Sequence, residues 1–358
     1  MRTAVSPSAG VIASSNAERM VALDGLRGIA VIFVLLEHFT YSEWVRAWSP
    51  GAVGVKTFFV LSGFLITSIL LDLRDSSISY SAARYFFARR MRRLLPALLV
   101  AILVGSALGV GGLPQDWFWH MTYMSNLQVW WQSSWSGAGH FWTLALEQQF
   151  YLLWFPAVMI MPRRWLAPLV LGLLVCAPIF RSAISFGASS YIDVLLPAQA
   201  DALAAGALLS LAIRGDIPLP FVSRLTMPVI LWGLIGLLFL ILSLPALGQP
   251  RSDLVQWVLT PSLIAFAALA IVATAVTQPQ RLALLTAPVL VWIGTISYGI
   301  YIYHYFVPQF FILYIPSLAE AETVTEKSVR LLAWLIVSVA LAAVSWHIVE
   351  KPFLKKRE

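Results

Sequence analysis

The chain has 358 residues, 59% of them hydrophobic and 11% charged, with a mean hydropathy of +0.81. These values exclude a water-soluble globular domain, and apolar runs of about 17–25 residues without two-residue alternation exclude an outer-membrane strand barrel. The net charge of +7 does not point to nucleic acid, because the basic residues are spread between apolar runs rather than gathered on one soluble module.

Residues 1–20 are rich in Ser and Ala and lack the apolar core of a cleavable signal, so they read as a disordered cytosolic tail. A membrane domain follows over 21–353, and 354–358 form a short basic cytosolic tail. Spans are expected at about 23–41, 54–72, 94–112, 141–161, 165–181, 194–213, 226–244, 256–276, 288–314 and 329–349. The expected fold is therefore all-α, a polytopic transmembrane helical bundle of about ten spans. The stretch 117–131 is aromatic but interrupted by His120, Asn126 and Gln128, which suits an interfacial or re-entrant segment; crossing would make the count about eleven.

Loop charges fix an orientation. One set of loops holds Arg84, Arg89, Arg90, Arg92, Arg93, Arg163, Arg164, Arg214, Arg224, Arg281 and the tail Lys351, Lys355, Lys356 and Arg357. The other set holds mainly Arg46, Arg181 and Arg251 and ends in the acidic Glu320, Glu322 and Glu326, so both termini read as cytoplasmic.

An ionisable side chain inside a span is costly and marks function by default. The first span contains Asp24, Arg27, Glu37 and His38. Eleven residues separate Arg27 from His38, which puts them about 20° apart around the axis and about 16 Å apart along it. Asp24 lies one turn before Arg27 and can pair with it; a rim pair at the interface is the competing reading. His38 is suited to move a proton near neutral pH. Span two adds Lys56, Thr57, Ser62, Gly63 and Thr67, where Gly63 would permit close helix contact.

Tyr80 to Leu95 mixes Tyr85, Phe86 and Phe87 with five arginines, either as a surface anchor on an anionic leaflet or as an anion site. In span four His140, Thr143, Glu147 and Tyr151 fall on one helical stripe, beside Trp142. Cys176, the only cysteine, lies in an apolar run and reads as core packing; no disulfide or cysteine metal site can be built. Tyr298, Tyr301 and His304 recur every three residues, lining a cavity or forming an aromatic belt. Glu350-Lys351-Pro352 fits a helix stop. No metal site is expected.

Taken together, several of these motifs resemble the integral-membrane acyltransferase 3 family, whose bacterial members O-acylate surface sugars and related molecules. The resemblance runs from Leu23 to about Phe353. It rests on Arg27 and His38 within Leu23-Asp24-Gly25-Leu26-Arg27-Gly28, on Phe58 to Leu65, on Arg89-Arg90-Met91-Arg92-Arg93-Leu94 before Pro96, on Trp142 to Tyr151, on Ser297-Tyr298-Gly299-Ile300-Tyr301 and on Glu350-Lys351-Pro352. The family often carries a basic residue before the Ala200-Asp201-Ala202-Leu203 stretch, where this chain has Gln199. The resemblance is to the stand-alone type, without an appended hydrolase-like domain.

The resemblance implies a multi-pass protein of a bacterial inner (plasma) membrane that moves an acyl group, acetyl first of all, from acetyl-CoA or another acyl-CoA to a hydroxyl of a carbohydrate or glycoconjugate. His38 would act as general base, with Glu147 or Glu37 orienting its ring. Arg27, Asp24, Arg90 and Arg93 would serve the donor, and His140, Trp142, Tyr151, Tyr298, Tyr301 and His304 would line the acceptor site or cavity. A proton-coupled transporter of an anionic solute, with Glu147 and His38 as relay, is the alternative.

Overall fold

In the computed structural model, residues 9–40, 42–76, 80–185, 187, 189–217, 226–244, 252–320 and 322–355 are described. Every regular element among them is helical. In chain order these are α1 (Ala9–Thr40), α2 (Glu43–Ala47), α3 (Pro50–Ser76), α4 (Tyr80–Ala107), α5 (Leu113–Met121), α6 (Ser125–Gln132), α7 (Trp142–Ile160), α8 (Arg163–Ser185) and α9 (Leu196–Ile213). They continue with α10 (Thr226–Ser243), α11 (Thr260–Thr277), α12 (Pro288–Thr295), α13 (Ser297–Tyr303), α14 (Phe306–Tyr314), α15 (Pro316–Ala319), α16 (Val324–Ser345) and α17 (Lys351–Lys355). Residues 1–8 of the expected N-terminal tail, Arg224, Arg251, Lys356 and Arg357 lie outside the described residues.

Each of the ten expected spans overlaps helix, although α4 ends at Ala107, short of the expected 112. Among the described residues, five helical stretches are long and apolar enough to cross a membrane: Pro50–Ser76, Arg163–Ile184, Leu196–Ile213, Leu254–Thr277 and Val324–Leu354. Of the others, α1, α4 and α7 carry the charged and polar residues of the site, and 288–314 is divided into α12, α13 and α14, with Ile296 leaving helical geometry at φ −96° and ψ 7°. The outer flanks repel water. Leu171, Val175 and Ile179 recur every four residues along α8, all at least half exposed, and Leu332 and Ile336 do the same on α16. This is the surface of a membrane protein.

Two sequence expectations change, and a third is sharpened. The helix of α1 starts at Ala9, so residues 9–20 are not an unstructured tail; the stretch has no proline and holds Ala13, Ala17, Glu18, Arg19 and Met20, which favour helix. Cys176 is exposed on the apolar outer side of α8 rather than packed in a core. The 117–131 stretch forms α5 and α6, nine and eight residues long, which at 1.5 Å per residue are too short to cross a bilayer. Its polar residues face protein: Asn126 and Gln149 exchange amide hydrogen bonds of 3.0 and 2.8 Å, which dock α6 on α7.

Two helix crossings position the site. α12 lies against α1 so closely that a Cβ on Gly294 would sit 1.8 Å from the Asp24 carbonyl oxygen. α3 meets α9 likewise at Gly63, where a Cβ would lie 2.0 Å from the Leu203 carbonyl oxygen, the close contact its sequence suggests. The main core gathers side chains of α1, α3, α7, α9 and α11, including Leu23, Leu61, Leu146, Trp154, Leu203 and Val272.

Candidate active site

Two cavities lie along α1, one beside Arg27 and one beside His38. The first, of about 110 Å³, is lined by Arg27 from α1, Ser62 from α3, Arg90 and Arg93 from α4, Glu147 and Tyr151 from α7, and Tyr298 and Tyr301 from α13. Helical phase brings them there: Arg90 and Arg93 are three residues apart on α4, and Glu147 and Tyr151 four apart on α7. Asp24 does not line this cavity but holds Arg27 Nη1 at 2.5 Å. Neither Arg90 nor Arg93 forms an ion pair with a carboxylate among the described residues. The Arg90 guanidinium stands 5.7 Å from the Tyr151 ring centre. Three guanidinium groups face Glu147 here, one of them paired with Asp24, so positive charge predominates at this cavity.

Glu147 is fixed by Ser62 Oγ, which donates to Oε1 at 2.6 Å, and by Tyr151 OH, which donates to Oε2 at 3.2 Å. Nearby, Thr143 Oγ1 donates to Tyr301 OH at 2.7 Å, Tyr301 OH donates to the His140 carbonyl at 3.0 Å, and Tyr298 OH donates to the Leu94 carbonyl at 2.6 Å. These bonds hold α13 against α4 and α7.

The second cavity, of about 480 Å³, is lined by Glu37 and His38 of α1, Lys56 of α3, His140, Trp142, Asp193 and Gln199, with Trp135, Trp257 and Tyr305 at its walls. His38 Nδ1 lies 2.8 Å from the Val34 carbonyl oxygen. A carbonyl can only accept, so Nδ1 carries a proton, and in the neutral ring the lone pair is then on Nε2. Val55 and Tyr301 line both cavities and form the wall between them.

The carboxylates are not where the sequence suggests. Glu147 lies in the Arg27 cavity, and Glu37 Oε2 accepts from Gly51 N at 2.6 Å at the start of α3, so the His38 ring is oriented by a backbone carbonyl instead of by either acid. His140 and Glu147 also part company, because His140 sits in a 3-10 turn over Gly139–Phe141 and only the residues from Trp142 keep α-helical phase. His304 is fully buried, with its ring centre 5.1 Å from that of His38 and 5.2 Å from that of His140; it lines neither cavity. The remaining expected residues, Trp142, Tyr151, Tyr298 and Tyr301, do line a cavity.

Arg181, assigned from sequence to a loop, is fully buried in α8. It donates from Nη2 to Asp201 Oδ2 at 2.7 Å and to Ser262 Oγ at 2.7 Å, and from Nη1 to the Ala198 carbonyl. Lys56 Nζ reaches Asp201 Oδ1 at 3.1 Å. The positive charge that Gln199 does not supply thus reaches Asp201 from α8 and α3. Sequence reasoning also passed over Asp193, although it is the only acidic residue between Glu147 and Asp201. Glu350, read as a helix stop, is buried and accepts from Ser345 Oγ at 3.1 Å. No group of three or more His, Cys, Asp or Glu side chains among the described residues is placed to hold a metal ion.

A sequence family defined by its acyltransferase domain matches residues 20–350, which includes every side chain of both cavities. The chain belongs to the acyltransferase 3 family. Within curated members, it is 30% identical to the peptidoglycan O-acetyltransferase OatA of Listeria monocytogenes over 316 residues, 79% of this chain and 48% of that protein. It is 31% identical to the O-acetyltransferase OatA of Staphylococcus aureus over 325 residues, 79% of this chain and 49% of that protein. A putative O-acetyltransferase of S. aureus shares 36% identity over 158 residues, 39% of this chain and 25% of its own length. The chain spans about half the length, or less, of these acyltransferase 3 relatives. No solved structure matches it.

Proposed function

We propose that this chain is a membrane O-acyltransferase that moves an acetyl group from acetyl-CoA to a hydroxyl of a carbohydrate-type acceptor. The observation that carries the reading is the pair of cavities on one helix, polycationic at Arg27 and basic at His38, divided by Val55 and Tyr301. The spacing along α1 is about 16 Å, the reach of an extended thioester arm. The OatA names support an acetyl group and a cell-envelope glycan.

In this reading Arg27, Arg90 and Arg93 bind the phosphates of the donor from the cytoplasmic side. Asp24 holds Arg27 in place. His38 Nε2 removes the acceptor hydroxyl proton as the oxygen attacks the thioester carbon. The new C–O bond forms, the C–S bond breaks, and the proton passes from His38 to the departing thiolate. Glu147 and Tyr151 shape the donor site, and His140, Trp142 and Tyr301 the acceptor side. The ten helical stretches are read as spans of a bacterial inner membrane, with both termini cytoplasmic.

Purified protein in detergent, given acetyl-CoA and a glycan acceptor, should release free CoA. His38→Ala should abolish release while binding the donor with unchanged affinity, and Arg27→Ala should weaken donor binding by about tenfold or more, the loss of one charge-assisted contact. Full transfer by His38→Ala would sink the base assignment. Solute flux in vesicles with no CoA release would instead favour the proton-coupled transporter.

A further inference from the structure

The His38 cavity has an unusual polar demand. Three of its lining residues carry a buried atom with no hydrogen-bond partner among the described residues: Asp193 Oδ1, Gln199 Oε1 and His140 Nδ1. Gln199 is 2% exposed and His140 5%, so bulk water does not satisfy them. Their other atoms are committed. Gln199 Nε2 donates to the Asp193 carbonyl at 2.8 Å, and His140 Nε2 lies 3.1 Å from the Ile302 carbonyl oxygen, which makes it the protonated nitrogen and leaves Nδ1 an acceptor. All three unpartnered atoms therefore accept.

The one ammonium in the lining, Lys56, is engaged by Asp201, and the charges of Lys56, Arg181, Asp193 and Asp201 cancel. Glu37 is left as the net charge at the cavity wall. A buried acceptor left unpaired is costly, so the occupant that fits is one that supplies donors. A sugar hydroxyl does. A carboxylate does not, and it would face Asp193 and Glu37 as well. Trp135, Trp142 and Trp257 add apolar faces of the size of a sugar ring.

We propose that Asp193, Gln199 and His140 receive hydroxyl groups of the acceptor, and that the cavity thereby selects an uncharged polyhydroxylated sugar ring over an acidic one. This rests on the acyl-transfer reading for what the bound ring is used for, but not for its charge preference.

The test presents the detergent-purified full chain with two glycosides of one ring shape, methyl glucoside and its uronate. Binding is read by tryptophan fluorescence, and transfer by thiol release from acetyl-CoA. The neutral glycoside should half-saturate the fluorescence change at a concentration about tenfold or more below the uronate, the penalty of one unpaired buried acceptor. Gln199→Arg, which replaces an acceptor with a donor, should narrow or reverse that ratio. Asp193→Asn, which removes a charge at nearly constant shape, should narrow it independently should the arginine variant fail to fold. Equal or better binding of the uronate, no response to the neutral glycoside, or a ratio unmoved in both variants overturns the proposal. Ranked binding with no thiol release defeats acyl transfer and leaves the selectivity standing. Thiol release with unranked binding does the reverse.

Discussion

Glu147 faces Arg27, Arg90 and Arg93 across the smaller cavity, held by the hydroxyls of Ser62 and Tyr151. Its charge opposes the binding of a polyanion while its hydrogen bonds keep α3 and α7 in register. Glu147→Gln should tighten acetyl-CoA binding by about tenfold, since two unit charges about 10 Å apart at an effective dielectric near 20 interact by about 1.7 kcal/mol. The pH profile of transfer should stay where it is; a shifted profile would mean that Glu147 acts on His38 after all. The sequence made the alignment of Arg27 and His38 legible because both lie on one unbroken helix, where phase and rise are fixed. It misplaced Glu147 because phase gives a side chain's direction and not the neighbour it meets. It joined His140 to Glu147 because the 3-10 turn at Gly139–Phe141 breaks the phase just before α7.

At the scale of elements, Lys56, Arg181, Asp201 and Ser262 tie α3, α8, α9 and α11 together at one buried point. Removing one member of a buried ion pair costs more than the pair contributes, because the partner charge stays behind. Asp201→Asn should lower stability by about 3–5 kcal/mol, seen as a large fall in the detergent thermal midpoint. A midpoint within a degree or two of the parent would contradict this. The α1–α12 crossing gives a second prediction. In Gly294→Ala the new methyl meets the Asp24 carbonyl of α1, so α1 and α12 must part and Arg27 shifts with α1; donor affinity should fall together with stability, and unchanged donor affinity would show that the crossing does not position Arg27. None of these ties was legible beforehand. Hydropathy located helix because lipid demands about 20 apolar residues for each span, and five helical stretches among the described residues meet that demand, but it could not say that Arg181 turns inward rather than ending a loop.

For the molecule as a whole, the single cysteine makes topology measurable. Cys176→Ser leaves a chain without thiols, into which Ser15→Cys or Glu322→Cys can be placed singly. A membrane-impermeant maleimide applied to intact cells should label position 322 and spare position 15, and should label both after lysis; the opposite pattern would invert the orientation. That orientation gives the wall at Val55 and Tyr301 a further duty. In the proposed arrangement, with the Arg27 cavity reached from the cytoplasm and the His38 cavity from outside, most of the transmembrane voltage would fall across these two side chains, about 2.3 kcal/mol for each unit charge and 100 mV. On the proposed function, the thioester arm would carry an acetyl group through this septum while ions are kept out. A neutral cargo and an uncharged apolar and phenolic seal would meet both requirements at once, so that the proposed transfer need not short-circuit the membrane.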